Sequence, residues 1–587
     1  DTRRAAGESF GALYVRRGLN GAETKLIDFE ALTPDKSKSG SVVAYSLDGK
    51  RLAYQIRKGG EDEVEIRFFD VDAARDLPDR LPRVRWGGGG FNRDASSFYF
   101  STGSGPQGTI FRHPMNGSDT VERIYSRDID AKQFISADVS EDGRWLTAAI
   151  SEGWGKKTEI YLLNLAEPRA AWRPLVTNID AEFSGEVFGS RFIANTNWKA
   201  PKRRVLAIDL ANPDPATWKE LIPEAASTLD GLSLIGGELY ASYLENVTTR
   251  IRRFSFDGKP LGDLKLPGLG TVAGPIGRSD KKEAFFAFTS FTEPSTIYRL
   301  DTATGQSTLW FRTQLPIDPA QFEAKQVWIT SKDQTRVPMF LVHKKGLKLD
   351  RQRPVFLTGY GGFLVSLQPT FSAVAAVWAQ NDGVYAVPNL RGGGEFGEAW
   401  HQAGMFERKQ NVFDDFTAAA EWLIENGYTR AGKIAIEGVS NGGLLVGAAL
   451  TQRPDLYGAV LCGFPLLDMV RYHKFLLGPL WIPEYGSAED PKIFPAIKAY
   501  SPYHNVKPGT KYPAAMFISG DSDTRVAPLH ARKMAALMQT VESPGKPQLL
   551  HYDTSAGHSG GLRLEKQVAN LVDELSFAFW QLGEKLK

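Results

Sequence analysis

A turn signature that returns about every 45 residues constrains the first half of this chain more than any other feature of it. The segment Ala44-Tyr45-Ser46-Leu47-Asp48-Gly49-Lys50-Arg51-Leu52-Ala53-Tyr54 is echoed by Asn92-Arg93-Asp94-Ala95-Ser96-Ser97-Phe98-Tyr99-Phe100 and by Val139-Ser140-Glu141-Asp142-Gly143-Arg144-Trp145-Leu146. Weaker echoes follow around Gly189, Gly237 and Asp280. Each places turn residues that tolerate positive φ between two alternating apolar runs, which is the sequence form of a β-hairpin. A repeat of this length is one four-stranded propeller blade, whereas a tandem of β-sandwiches would repeat at about 100 residues. A β-propeller is therefore expected over residues 1–322.

From residue 323 to 587 the periodicity changes. An opening hairpin, Val327 to Thr330 and Val337 to Val342, gives way to short apolar strands at Val355 to Leu357, Val384 to Val387, Ile434 to Ile436, Ala459 to Cys462, Ala514 to Ile518 and Leu549 to Tyr552. Amphipathic helices are expected between and after them at Asp414 to Asn426, Leu444 to Gln452, Leu529 to Gln539 and Leu562 to Leu582. Apolar strands alternating with helices predict a mostly parallel, doubly wound sheet. A length of 587 residues accommodates two such domains.

The charge balance, 70 Lys plus Arg against 68 Asp plus Glu, provides no basis for binding nucleic acid or an anionic membrane. No apolar run is long enough to span a bilayer, and Asp1-Thr2-Arg3-Arg4 is not a signal core, so a soluble protein is expected, cytoplasmic or periplasmic, with upstream residues removed. The lone cysteine, Cys462, sits in an apolar run and reads as a buried structural thiol.

Within the second half, Gly438-Val439-Ser440-Asn441-Gly442-Gly443 joins a β-prone strand to an apolar helix. Glycines flanking a serine at a strand-to-helix turn let the backbone reverse sharply and expose the hydroxyl, with the Asn441 amide free to donate to an oxyanion. A serine hydroxyl needs a histidine base, itself oriented by a carboxylate, and on this architecture both follow the serine after later strands. Of eight histidines, His558 alone lies in a Gly-rich loop after a late strand, Ser555-Ala556-Gly557-His558-Ser559-Gly560-Gly561. The acid is Asp521 or Asp523, both in the loop after Ala514 to Ile518, and spacing does not separate them.

Taken with Asp523-Thr524-Arg525-Val526, Ala556-Gly557-His558, Gly359-Tyr360-Gly361-Gly362-Phe363, Asn389 through Gly397 and Lys409 through Phe416, the elbow resembles the prolyl oligopeptidase family of serine peptidases. The resemblance covers the whole second half, and the propeller extends it across nearly all of the chain. It implies Ser440 as nucleophile, His558 as base, Asp523 rather than Asp521 as acid, and Tyr360 with Asn441 as oxyanion hole. It further implies Arg525 as a ligand for a substrate carbonyl, and a proline pocket walled by Trp481, Phe363, Tyr485, Leu466 and Val526. A propeller that covers the site, admitting short peptides but not folded proteins, and a monomer are implied as well. Six complete blades and part of a seventh can be counted, with Gly11 to Arg17 resembling a late strand of an incomplete first blade.

The chain departs from the family at two places. Leu466 stands where a smaller Val is usual, a methylene worth about 1–3 kcal/mol of side-chain discrimination, which keeps open a peptidase of other preference or a carboxylesterase. Ser559 stands where Gly usually follows the base. A non-catalytic propeller binding protein is the remaining alternative, against which the intact Ser440, Asp523, His558 and Tyr360 speak. No cofactor or metal is expected: Gly392-Gly393-Gly394-Glu395-Phe396-Gly397 does not open into a helix as a dinucleotide fingerprint must, Gly87 to Gly90 lies inside the propeller, and no His-x-x-x-His or Cys-x-x-Cys pair occurs.

Overall fold

The computed structural model describes residues 1–587 except 1, 6, 87, 105–107, 126, 131, 154–156, 542–544, 560, 561 and 587, so Gly87 of the glycine run and Gly560 and Gly561 of the histidine loop lie outside the described residues. The N-terminal half forms seven antiparallel sheets in succession, a seven-bladed propeller. The recurring sequence signature is in every case the turn between a blade's first two strands, as between Lys38–Tyr45 and Arg51–Lys58 or between Gln133–Val139 and Trp145–Glu152. Its chemistry repeats as well. Ser46, Asn92 and Ser140 accept the amide five residues on (2.9, 2.9 and 3.0 Å), while Asp48, Asp94 and Asp142 accept the amide two residues on (3.0 Å each). The left-handed position that follows is Gly49, Ala95 and Gly143, with φ of 70°, 54° and 69°.

The first blade has three strands among the described residues, Thr2–Arg3, Ala12–Arg16 and Glu23–Asp28. Ala12–Arg16 lies in the middle of the three, with Thr2–Arg3 paired along one edge and Glu23–Asp28 along the other. The ring closes through side chains: Arg16 lies over the Trp310 ring (5.2 Å) and Arg3 over Phe311 (5.8 Å), both rings on the last blade.

The second half is one eight-stranded sheet. Its strands are β1 (Phe322–Thr330), β2 (Arg336–Lys344), β3 (Val355–Thr358), β4 (Val384–Pro388), β5 (Ile434–Val439), β6 (Ala459–Gly463), β7 (Ala514–Gly520) and β8 (Gln548–Asp553). They lie in the order β1-β2-β4-β3-β5-β6-β7-β8, antiparallel as far as the β2–β4 pair and parallel from there on, the α/β-hydrolase arrangement. The inner strands β2 to β7 are largely buried on both faces, which is why they read as continuous apolar runs. Helices Gln410–Glu425 and Asn441–Gln452 bury Phe413, Phe416, Leu444 and Leu445 in the larger core, and Leu564–Leu582 buries Phe577 and Phe579 on the other side of the sheet. A helix at Ala373–Gln380 escaped the sequence reading: it is short and almost uniformly apolar, so it has no amphipathic period to detect.

Candidate active site

Ser440 occupies the turn from β5 into the helix Asn441–Gln452, with φ 62° and ψ −117°. A non-glycine residue in this left-handed conformation is strained, and its neighbours over-determine it. Its amide donates to the Gly463 carbonyl (2.9 Å) and its carbonyl accepts from Leu444 (3.1 Å). The flanking glycines are sterically required, since a Cβ on Gly438 would lie 2.1 Å from the Gly442 oxygen and one on Gly443 2.7 Å from the Gly463 oxygen.

Asp523, in the loop after β7, is buried, and both its oxygens are engaged. Oδ1 accepts the amides of Arg525 (2.9 Å) and Val526 (2.8 Å), and Oδ2 accepts from His558 Nδ1 (2.8 Å). An ionised carboxylate only accepts, so Nδ1 of His558 carries its proton and Nε2 is left as the basic nitrogen. Asp521, the competing acid, is exposed and instead accepts from the Tyr552 hydroxyl. The end of β6 touches both residues: the Gly463 carbonyl accepts the Ser440 amide, and the next residue, Phe464, sets its ring edge-on to the His558 ring at 5.7 Å.

Burial pushes the Tyr360 phenol up to about 12, with the neighbouring Ser440 hydroxyl a smaller opposing influence, so it remains a neutral donor. The Asn441 side chain reaches the same turn, its Nδ2 donating to the Tyr360 carbonyl (2.6 Å). Trp481, Leu466, Val526 and Tyr485 belong to one buried cluster, with Phe363 packed against it. Phe363 meets Tyr485 edge to face at 5.4 Å, and the Tyr485 hydroxyl donates to Asn441 Oδ1 (2.9 Å). Burial raises the Cys462 thiol well above its ordinary range, in keeping with a structural role.

The propeller reaches into this site, which the sequence did not disclose. Asp62, whose side chain is fully buried, accepts from Arg525 through both Nε (3.0 Å) and Nη2, and from the Ser559 hydroxyl (2.6 Å). Ser559 in turn accepts from Arg525 Nη2 (2.9 Å). Burial would raise the Asp62 carboxyl, but the Arg525 and Ser559 bonds together with the Arg525 charge outweigh it and leave the group below its ordinary value. Beside this clasp, the Gly557 amide donates to the Gly59 carbonyl (2.7 Å) and the Ser559 amide to that of Gly60 (2.9 Å). A Cβ on Gly60 would stand 2.3 Å from the Ser559 oxygen, so only glycine allows the propeller turn to lie against the histidine loop.

A second polar layer lies behind Tyr360. Lys409, buried, donates to the Gly361 carbonyl (2.7 Å) and to Asn441 Oδ1 (3.2 Å). Buried Glu484 accepts the Phe363 amide (2.9 Å) and His401 Nε2 (2.8 Å). Burial alone would lower the His401 imidazole, but Glu398 and Glu484 prevail and raise it to about 9. The available signal for Glu484 was a charged residue inside an otherwise apolar segment; Lys409, within the polar run Glu407 to Asn411, and Asp62 had none.

The chain matches two family models, that of the prolyl oligopeptidase N-terminal β-propeller domain over residues 2–313 and that of the prolyl oligopeptidase family over residues 369–585. It is 35% identical to a prolyl endopeptidase of Elizabethkingia meningoseptica across 98% of this chain and 83% of the relative, and 32% identical to prolyl oligopeptidase A of Galerina marginata across 95% and 80%. A chain solved in a structural and mechanistic study of two prolyl endopeptidases superposes with a TM-score of 0.95 at 39% identity, covering 100% of this chain and 88% of that one. Prolyl oligopeptidase B of Galerina marginata, bound to a 35-residue hydrolysis and macrocyclisation substrate, superposes with a TM-score of 0.93 at 31% identity over 99% and 86%. Joining a seven-bladed propeller to an α/β-hydrolase sheet with a serine elbow, this chain belongs to the prolyl oligopeptidase family of serine peptidases.

Proposed function

We propose that this protein cleaves short peptides on the carboxyl side of proline, with Ser440 as nucleophile, His558 as general base and Asp523 as the acid that orients it. The observation that carries the reading is that the end of β6 seats both a strained Ser440 elbow, whose amide Gly463 accepts, and a His558 ring held by Asp523 at 2.8 Å, on which Phe464 packs. Ser440 Oγ attacks the prolyl carbonyl carbon while its proton passes to His558 Nε2, and the oxygen that gains charge meets the Tyr360 hydroxyl and the Asn441 amide. Collapse of this intermediate breaks the C–N bond, and His558 returns the proton to the departing amine. A water activated by the same nitrogen then attacks the acyl-enzyme and releases the proline-terminated fragment. Arg525 directs its remaining donors to a substrate carbonyl, its fork already fixed on one side by Asp62 and Ser559. Trp481, Phe363, Leu466 and Val526 present an apolar wall to the proline ring, with Tyr485 supporting Phe363 from behind. The propeller covers the site and restricts it to short, unfolded substrates.

Turnover of proline-linked and alanine-linked chromogenic amides tests the reading. Ser440→Ala lowers kcat by roughly 10⁶-fold. Trp481→Ala costs about 2 kcal/mol in kcat/KM on the proline substrate and less on the alanine one. Equal turnover of both amides by the wild type would overturn the proline assignment.

A further inference from the structure

Tyr360 and Asn441, the two proposed oxyanion donors, come from different strand ends, one after β3 and one after β5, so something must fix the distance between them. The groups that do so form a closed circuit. Asn441 Nδ2 donates to the Tyr360 carbonyl (2.6 Å), and Asn441 Oδ1 accepts from Lys409 Nζ (3.2 Å) and the Tyr485 hydroxyl (2.9 Å). Lys409 Nζ then returns to the turn at the Gly361 carbonyl (2.7 Å). The far end of the turn, the Phe363 amide, is pinned by Glu484 (2.9 Å). There is little slack, because a Cβ on Gly361 would come within 2.3 Å of Val412 and one on Gly362 within 2.7 Å of Asn441 Nδ2.

An ammonium is an expensive group to place there. Lys409 is 1% exposed, its hydrogen bonds go to two neutral oxygens, and the Tyr485 ring lies 5.4 Å from Nζ. Burial drives the amine down to about 8, with the charge of Glu484 only partly opposing. A methionine would pack into the same volume without that desolvation cost, so fold stability alone does not account for the lysine.

We propose that Lys409 is a positioning residue of the oxyanion hole: by binding the Gly361 carbonyl and the Asn441 side chain together, it sets the separation of the Tyr360 hydroxyl from the Asn441 amide. This rests on the assignment of those two donors made above. Lys409 touches neither substrate nor Ser440; it acts through the turn it holds, and misplacing two donors by a fraction of an ångström weakens the transition state without changing how the peptide docks.

The discriminating measurement compares two ligands of one peptide sequence, an aldehyde ending in prolinal and the alcohol ending in prolinol. The aldehyde is attacked by Ser440 Oγ: an O–C bond forms, the carbonyl π electrons move to oxygen, and the serine proton passes to His558, so the oxyanion occupies the hole. The alcohol occupies only the peptide subsites. For Lys409→Met, kcat on a proline-linked anilide falls roughly 10- to 100-fold with KM within about threefold, and the aldehyde weakens by the same factor while the alcohol does not. Lys409→Arg recovers part of both losses. Tyr485→Phe, which deletes only a hydroxyl from the same circuit, shows a smaller loss of the same kind and serves if Lys409→Met does not fold. Equal weakening of aldehyde and alcohol, or an unchanged kcat, overturns the proposal. Tyr360→Phe calibrates the hole: if it loses aldehyde affinity while Lys409→Met and Tyr485→Phe do not, positioning by Lys409 is wrong and the hole stands. If Tyr360→Phe loses none, the donor assignment fails and the proposal with it.

Discussion

In the hydrolase domain each proposed reactive group stands just past the carboxyl end of a parallel strand: Ser440 next to β5, Asp523 three residues after β7 and His558 five after β8. The propeller's share of the same site comes from a turn between two blade strands, and Asp62 lies 463 residues from the Arg525 it binds. A parallel sheet brings all its carboxyl ends to one edge by construction, so groups placed there converge whatever their separation in the chain. A propeller turn has no such built-in destination. It meets the site only because the whole domain docks, through Gly59 and Gly60 against the histidine loop. The hydrolase part of the site is thus set by topology, and the propeller part by tertiary contact.

The hardest test of this contrast falls on the acid. Asp521 and Asp523 share one loop, one and three residues past the end of β7, yet only Asp523 holds His558. Asp523→Asn is expected to lower kcat by about 10⁴, because the amide favours the wrong imidazole tautomer, while Asp521→Asn changes it less than about threefold. Comparable losses from both, measured at saturating proline-linked anilide, would mean that the observed bond does not define the acid.

Next in size is the propeller's carboxylate. Asp62→Ala leaves Arg525 without its bidentate partner. Removing one member of a fully buried pair costs about 3–5 kcal/mol, but the Arg525 side chain is 26% exposed, so about 2 kcal/mol in kcat/KM is expected. Arg525→Met should not add its full cost on top, since the two residues act as one unit. Strict additivity in that double-mutant cycle would break the comparison, because Asp62 would then serve docking alone. The sign with pH is fixed by the lowered Asp62 carboxyl: its contribution is fully present above the ordinary value of 3.8 and is lost as pH falls through the lower folded value.

The same contrast explains what could be read without coordinates. The blade period was legible because one hydrogen-bonded turn, Ser46 with Asp48 or Ser140 with Asp142, is rebuilt in successive blades by the same residue types. The elbow was legible because Gly438 and Gly443 are forced by backbone contacts only a few residues away, or across one neighbouring strand. Asp523 could not be separated from Asp521 by spacing, since the choice depends on which carboxylate faces a ring 35 residues later. Asp62 and Lys409 left no local trace, because the groups they serve, Arg525 and Gly361, are distant in sequence and neither bond imposes a pattern on its surroundings.

Ser559 is the finest probe of the contrast, since it belongs to the hydrolase loop but makes its bonds to the propeller's clasp. Its hydroxyl donates to Asp62 and accepts from Arg525, while its amide is held by Gly60, a contact that any residue here retains. Ser559→Gly therefore removes two side-chain bonds and leaves the loop's backbone attachment in place. A loss of about 1 kcal/mol in kcat/KM is expected, roughly fivefold, with no change in the oxyanion-dependent affinity for a prolinal aldehyde relative to its alcohol. In an Asp62→Ala background the same substitution should cost almost nothing, because the hydroxyl has lost the acceptor that oriented it. If the cost is undiminished there, Ser559 acts on His558 directly and belongs with the topologically placed groups of the hydrolase domain. If it vanishes, the propeller governs the residue next to the proposed base, and the boundary between the two halves of the site runs between His558 and Ser559.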